Sequence, residues 1–170
     1  MNALRWLAVT AVAVLAMAGC SPDRSGGDSD IAGAYARMIQ WFVDRTEPAP
    51  DDEGERDPVV VFVEARGEGV NIGLTMQAAI IARAEPFATV RFIDDRAEAL
   101  TDGDAPVQDE GLLLALGPAK EHGSKVVIEC DEFVAADDER SWHFELQSAP
   151  GDEDDQSVWT LRGEPEPIEP

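Results

Sequence analysis

Residues 59–65 read VVVFVEA, a continuous apolar run rich in β-branched side chains. Such a run is too short for a stable buried helix and too uniformly apolar for a strand with one wet face. It predicts a central strand covered on both sides. The neighbouring residues extend the constraint. "RGEGVN" turns the chain, and 72–85, IGLTMQAAIIARAE, reads as a helix that Pro86 stops. Residues 88–94, ATVRFID, read as the next strand. Strand, helix and strand with short joins predict a right-handed βαβ unit with a parallel pair.

The chain then changes character. Residues 111–117, 125–134, 141–147 and 157–163 read as strands separated by short polar joins, the pattern of an antiparallel meander. In 142–146, Trp142, Phe144 and Leu146 alternate with His143 and Glu145, which predicts one dry face and one wet face. Upstream, 31–46 reads as an amphipathic helix with Ile31, Tyr35, Met38, Ile39 and Phe42 on one stripe and Asp30 as its N-cap. That stripe could lie on a bilayer. Packing on the domain's own sheet is the preferred expectation, because the polar face lacks the basic residues of an interfacial helix. The expected fold is α+β: one amphipathic helix, a βαβ unit and an antiparallel meander, forming one mixed sheet with helices packed on it. It occupies residues 31–163 as a single domain.

The start of the chain is organised differently. Arg5 is the only charged residue of 1–19, and 6–18 is apolar apart from Thr10. As a helix, that run is about 20 Å long, short of the roughly 30 Å hydrocarbon core. A basic start, a short apolar run and small residues form an export signal. It ends in Met17-Ala18-Gly19-Cys20, which resembles the lipobox of bacterial lipoproteins, with Met17 in the place of the usual Leu. The resemblance covers residues 1–20 only. It implies a signal peptide at 1–19, cut before Cys20, and a lipid-modified, palmitate-bearing Cys20 as the mature first residue. It also implies a protein exported and anchored to the membrane of the cell envelope. With Ser21 next, the family rule points to the outer membrane, periplasmic side, in an organism with two membranes. Residues 20–30 then read as the lipidated cysteine and a flexible tether.

Charge excludes some partners. The net charge is −22, and one unit more negative without Arg5. That repels nucleic acid and anionic lipid surfaces. The basic residues are arginines except for Lys120 and Lys125. An acid-rich, lysine-poor composition predicts a domain that salt stabilises by screening self-repulsion. Residues 47–58 hold six acids and three prolines and read as a solvated acidic loop. No D-x-[DN]-x-[DN]-G spacing occurs there, in 101–111 or in 151–155, so calcium has no motif. The tail 164–170, EPEPIEP, reads as extended and unpaired.

Catalytic patterns are weak. Gly67, Gly69 and Gly73 depart from G-x-G-x-x-G by one residue, no Walker lysine follows, and Glu64 and Glu68 would repel a phosphate. Histidine occurs at His122 and His143 only, without zinc-ligand spacing. Ser141 and His143 share a strand face but have no third partner. With Cys20 lipidated, Cys130 is left as a small buried thiol. The most distinctive internal segment is Asp94-Asp95-Arg96, where a strand gives way to a turn. It is a candidate ligand-binding position, since strand ends are common ligand sites. The alternative is that Asp95 caps the turn and Arg96 pairs with a nearby acid. Two functional expectations result. One is an envelope lipoprotein acting as a non-catalytic accessory or interaction module for another envelope protein, with no cofactor and no metal. The other is a lipoprotein that binds a small ligand or divalent cation near Asp94 and Asp95, with weak hydrolase activity as its extension.

Overall fold

The structure is a computed structural model that describes residues 26–46, 58–67, 70–101, 107–135, 138–150 and 157–168. Cys20 and the export segment lie outside the described residues, as do 47–57 of the acidic loop. The fold is α+β, with two α-helices among the described residues packed on one mixed sheet. The helices are α1 (Gly26–Val43) and α2 (Leu74–Ala84). The strands are β1 (Val59–Ala65), β2 (Ala88–Phe92), β3 (Leu112–Leu116), β4 (Lys120–His122), β5 (Lys125–Ala135), β6 (Asp138–Pro150), β7 (Ser157–Leu161) and β8 (Glu166–Ile168).

The sheet order is β2-β1-β3-β5-β6-β7, with β4 on β5 and β8 on β6. β1 lies between two parallel neighbours, with Val61 opposite Val90 of β2 and Val63 opposite Leu114 of β3. Its apolar run is explained by cover on both faces. Val61 and Val63 join Met38, Ile39, Phe42 and Ile80 under the helices. Phe62, on the other face, packs with Leu113, Ala99 and Val107. Ala99 and Val107, from the residues between β2 and β3, supply that second cover.

The direction of the sheet changes at β3, which is parallel to β1 and antiparallel to β5, with Leu116 opposite Cys130. Residues 112–116, expected at the head of the meander, therefore join it to the parallel strands. The join between β3 and β5 also folds, as β4 forms a hairpin with β5. In β6, Phe144 and Leu146 are fully buried beneath the helices while Glu145 is exposed.

Three stretches differ from the expectation. α1 begins at Gly26 rather than Ile31, so 26–30 belong to the helix and not to the tether. β6 runs from Asp138 to Pro150, well beyond 141–147, because β5 pairs with it almost throughout. The tail is not unpaired: Glu166–Ile168 pairs with Ser141–His143 along the outer edge of β6, in line with β7. Pro167 is tolerated because an edge strand needs hydrogen bonds on one side only.

α1 buries Ile31, Tyr35, Met38, Ile39 and Phe42, and also Ala32, Ala34 and Ala36, because it lies between α2 and β7. Gly33 admits this proximity. A Cβ there would sit 2.8 Å from Cδ1 of Trp159 on β7. At its other end, Trp41 packs edge-on with Trp142 and Phe144, Phe42 packs edge-on with Trp142 and tilted against Phe144, and the Arg45 guanidinium covers Trp41 at 4.1 Å.

Candidate functional site

β5, β6 and the end of β1 present charged residues on the face opposite the helices. Strand alternation puts Glu64 and Arg66 on the same side as Phe62, and Glu129 and Asp131 on the same side as Phe133. The result is two arginines, each held by two carboxylates: Arg66 by Glu129 and Asp131 of β5, and Arg96 by Glu64 of β1 and Glu139 of β6. Arg66 donates through Nε to Asp131 at 2.7 Å and through Nη1 to Glu129 at 2.6 Å. Lys120 of β4 donates to the other oxygen of Glu129 at 3.0 Å, and Ser141 of β6 donates its hydroxyl to Asp131 at 2.6 Å. Lys120 and Arg66 together hold the Glu129 carboxyl below the ordinary glutamate value, the Lys120 hydrogen bond contributing most.

The second arginine is Arg96. Its Nε and Nη2 donate to Glu64, the former at 2.9 Å, and its Nη1 and Nη2 each reach Glu139 at 3.3 Å. The hydrogen bond to Glu64 is the main reason that its guanidinium holds its proton even more firmly than usual. Asp95 has a different task. It is the N-cap of the 3-10 turn Arg96–Glu98, accepting from the Ala97 amide at 2.9 Å. The Glu98 carboxylate accepts from the amides of Asp95 and Asp94 at 3.1 and 3.2 Å, completing a capping box. Three consecutive residues thus part company: Asp95 shapes the turn, Arg96 clamps Glu64 to Glu139, and Asp94 lines a cleft.

That cleft, of about 250 Å³, opens at the carboxyl ends of β1 and β2 and is lined by Glu64, Asn71, Gln77 and Asp94 among others. Gln77 donates its amide to the Ile72 carbonyl at 2.7 Å and fixes the loop between β1 and α2. A larger cleft, of about 440 Å³, opens on the other side of the same loop, between it and the β3–β4 join, with Tyr35, Ile72, Met76, Pro118 and Glu121 in its walls. The chain leaves β1 toward β2 on one side, and β3 lies on the other, the arrangement in which parallel strands leave crevices at their carboxyl ends.

Tyr35 holds the β3–β4 join. Its hydroxyl donates to the Gly117 carbonyl at 2.8 Å and accepts from the Ala119 amide at 2.9 Å. Burial pushes this phenol's pKa up. Cys130 is fully buried and unpaired, and burial, followed by the charges of Asp131 and Glu132, raises its thiol well above the ordinary range.

The remaining sequence candidates are separated by the same geometry. Ser141 and His143 do share the open face, but the serine hydroxyl is committed to Asp131. His143 lines a separate cleft of about 150 Å³ with Glu145, Arg162 and Glu166, at the break between β7 and β8. Among the described residues, no three His, Cys, Asp or Glu side chains are placed to hold one metal ion. Arg66, Glu129 and Asp131 were not singled out by sequence reasoning. The alternation of Glu129 and Asp131 with Ile128 and Cys130 marks them as wet-face residues, but only the strand order brings Arg66 to them.

No family model, no curated protein and no solved structure matches the chain.

Proposed function

We propose that the chain is a cell-envelope lipoprotein, anchored through lipid on Cys20, whose domain is a non-catalytic accessory or protein-interaction module. Its address would be the outer membrane, periplasmic side, where two membranes exist. The anchor rests on the order of Arg5, the apolar run 6–18 and Met17–Cys20. The module reading rests on one structural observation: apart from Asp94, the polar groups singled out near the strand ends are employed in holding the fold. Asp95 is the cap of a turn, Arg96 joins Glu64 to Glu139, and Ser141 is bound to Asp131. The same reading takes β1, α2 and β2 as a right-handed βαβ unit, with the partner-facing surface elsewhere on the molecule.

Two experiments test it. Cys20→Ser should shift the protein from the membrane fraction to the soluble one or leave it as an uncleaved precursor. If the variant fractionates and migrates as the wild type does, the anchor is wrong. Crosslinking in the native envelope should capture a protein partner of defined stoichiometry.

Asp94 supports a second reading, in which the domain binds a small ligand or divalent cation, with weak hydrolase activity as the extension. Its carboxylate lines the 250 Å³ cleft beside Glu64. Asp94→Asn isolates this role, since Asp95 is needed for the turn. A rise in melting temperature with Ca²⁺, Mg²⁺ or Zn²⁺ that Asp94→Asn abolishes would favour the second reading over the first.

A further inference from the structure

α2 leaves one side uncovered. Ile80 and Ala84 are buried, whereas Leu74, Thr75, Ala78, Ile81 and Ala82 are exposed. Leu74 is 81% exposed and Ile81 43%. At helical spacing, Leu74, Ala78, Ile81, Ala82 and Glu85 form one stripe. The chain is 28% charged, yet residues 74–82 carry no charge. A helix with apolar residues on both its buried and its solvent sides is expected to have a second surface to pack on.

We propose that this face packs against the same face of a second copy of the chain, the two α2 helices antiparallel about a two-fold axis near Ala78. The face is self-complementary, since Ala78 and Ala82 let the helices approach while Leu74 and Ile81 flank them. Charge sets the direction. The N-terminus of α2 has no side-chain cap and no acid in its first turn, so its amides present partial positive charge. Glu85 follows the last helical residue. Antiparallel pairing brings each Glu85 to the partner's helix N-terminus, whereas parallel pairing would set Glu85 against Glu85. A bilayer is a poorer occupant. The one basic residue of α2, Arg83, lies toward Gly33 of α1 rather than on the exposed stripe, so that stripe has no cation to hold a lipid headgroup. The helix is about 16 Å long, and a single face of it is smaller than the roughly 800 Å² per partner of a standard interface. The dimer is therefore weak, concentration-dependent and strengthened by salt.

The test is cysteine crosslinking in the full chain. A two-fold axis at Ala78 brings two thiols at that position within disulfide reach. Ala78→Cys under a mild oxidant should give a covalent dimer on non-reducing electrophoresis, well above wild type and above Lys125→Cys, an exposed control on β5. Adding Ile81→Glu to Ala78→Cys should remove it. Both sites on α2 are exposed, so the fold survives each change, which circular dichroism verifies. A yield from Ala78→Cys no greater than from Lys125→Cys, or a yield that Ile81→Glu leaves intact, overturns the proposal.

Discussion

Tyr35→Phe removes one oxygen atom and keeps the ring. The residue is 5% exposed, so the ring's packing against the sheet is retained. Two hydrogen bonds are lost, that to the Gly117 carbonyl at 2.8 Å and that from the Ala119 amide at 2.9 Å. A hydrogen bond contributes about 0.5–1.5 kcal/mol net, and a buried group left unsatisfied costs about 1–3 kcal/mol. Gly117 is buried and Ala119 half-buried, so water replaces the hydroxyl incompletely. The expected loss is about 1–3 kcal/mol. Urea unfolding should show a lower midpoint with an unchanged slope. Hydrogen exchange adds a local readout, because the Ala119 amide should lose its protection before the sheet does. A loss below about 0.5 kcal/mol, the range of neutral surface changes, would refute the assignment of Tyr35 as the clasp of the β3–β4 join. So would unchanged protection at Ala119.

Other substitutions probe the same geometry. Gly111→Ala drives a Cβ into the Val60 carbonyl oxygen, and since backbone cannot step aside, stability should fall by about 2 kcal/mol or more in urea unfolding. Arg96→Met leaves Glu64 without its partner, and the double variant with Glu64→Leu should be the more stable of the two, as a double-mutant cycle measures. Glu129 has a lowered folded-state value relative to 4.5. Its contribution is therefore complete above that value and is lost as the pH falls through the lowered one. The stability difference between wild type and Glu129→Gln should shrink on acidification within that window. Finally, the melting temperature should rise from low to molar salt; equal values would dismiss self-repulsion as a significant term.

Much of the architecture was legible because it is periodic. VVVFVEA coincides with β1, and Pro86 marks the end of α2. The alternation around Phe144 gives the wet and dry faces of β6. Local pattern fails where pairing depends on distant strands. Nothing near Pro167 suggests a strand; it becomes one because β6 has an unfilled stretch of edge beside β7. The start of α1 at Gly26 is likewise invisible to a pattern that begins with Ile31. At the candidate site, the adjacent Asp94, Asp95 and Arg96 drew attention to the right turn. Their separate tasks emerge only when β1 and β6 deliver Glu64 and Glu139 to Arg96. Arg66 resembled an ordinary turn residue, because its partners Glu129 and Asp131 are over sixty residues away in sequence.

Mass spectrometry of the protein isolated from its native cell decides whether the proposed envelope module is held by lipid. An N-terminal peptide that begins at Cys20 and carries diacylglyceryl and acyl mass is expected. An unmodified Cys20, whether inside an uncleaved chain or in one cut elsewhere, would contradict the lipid anchor.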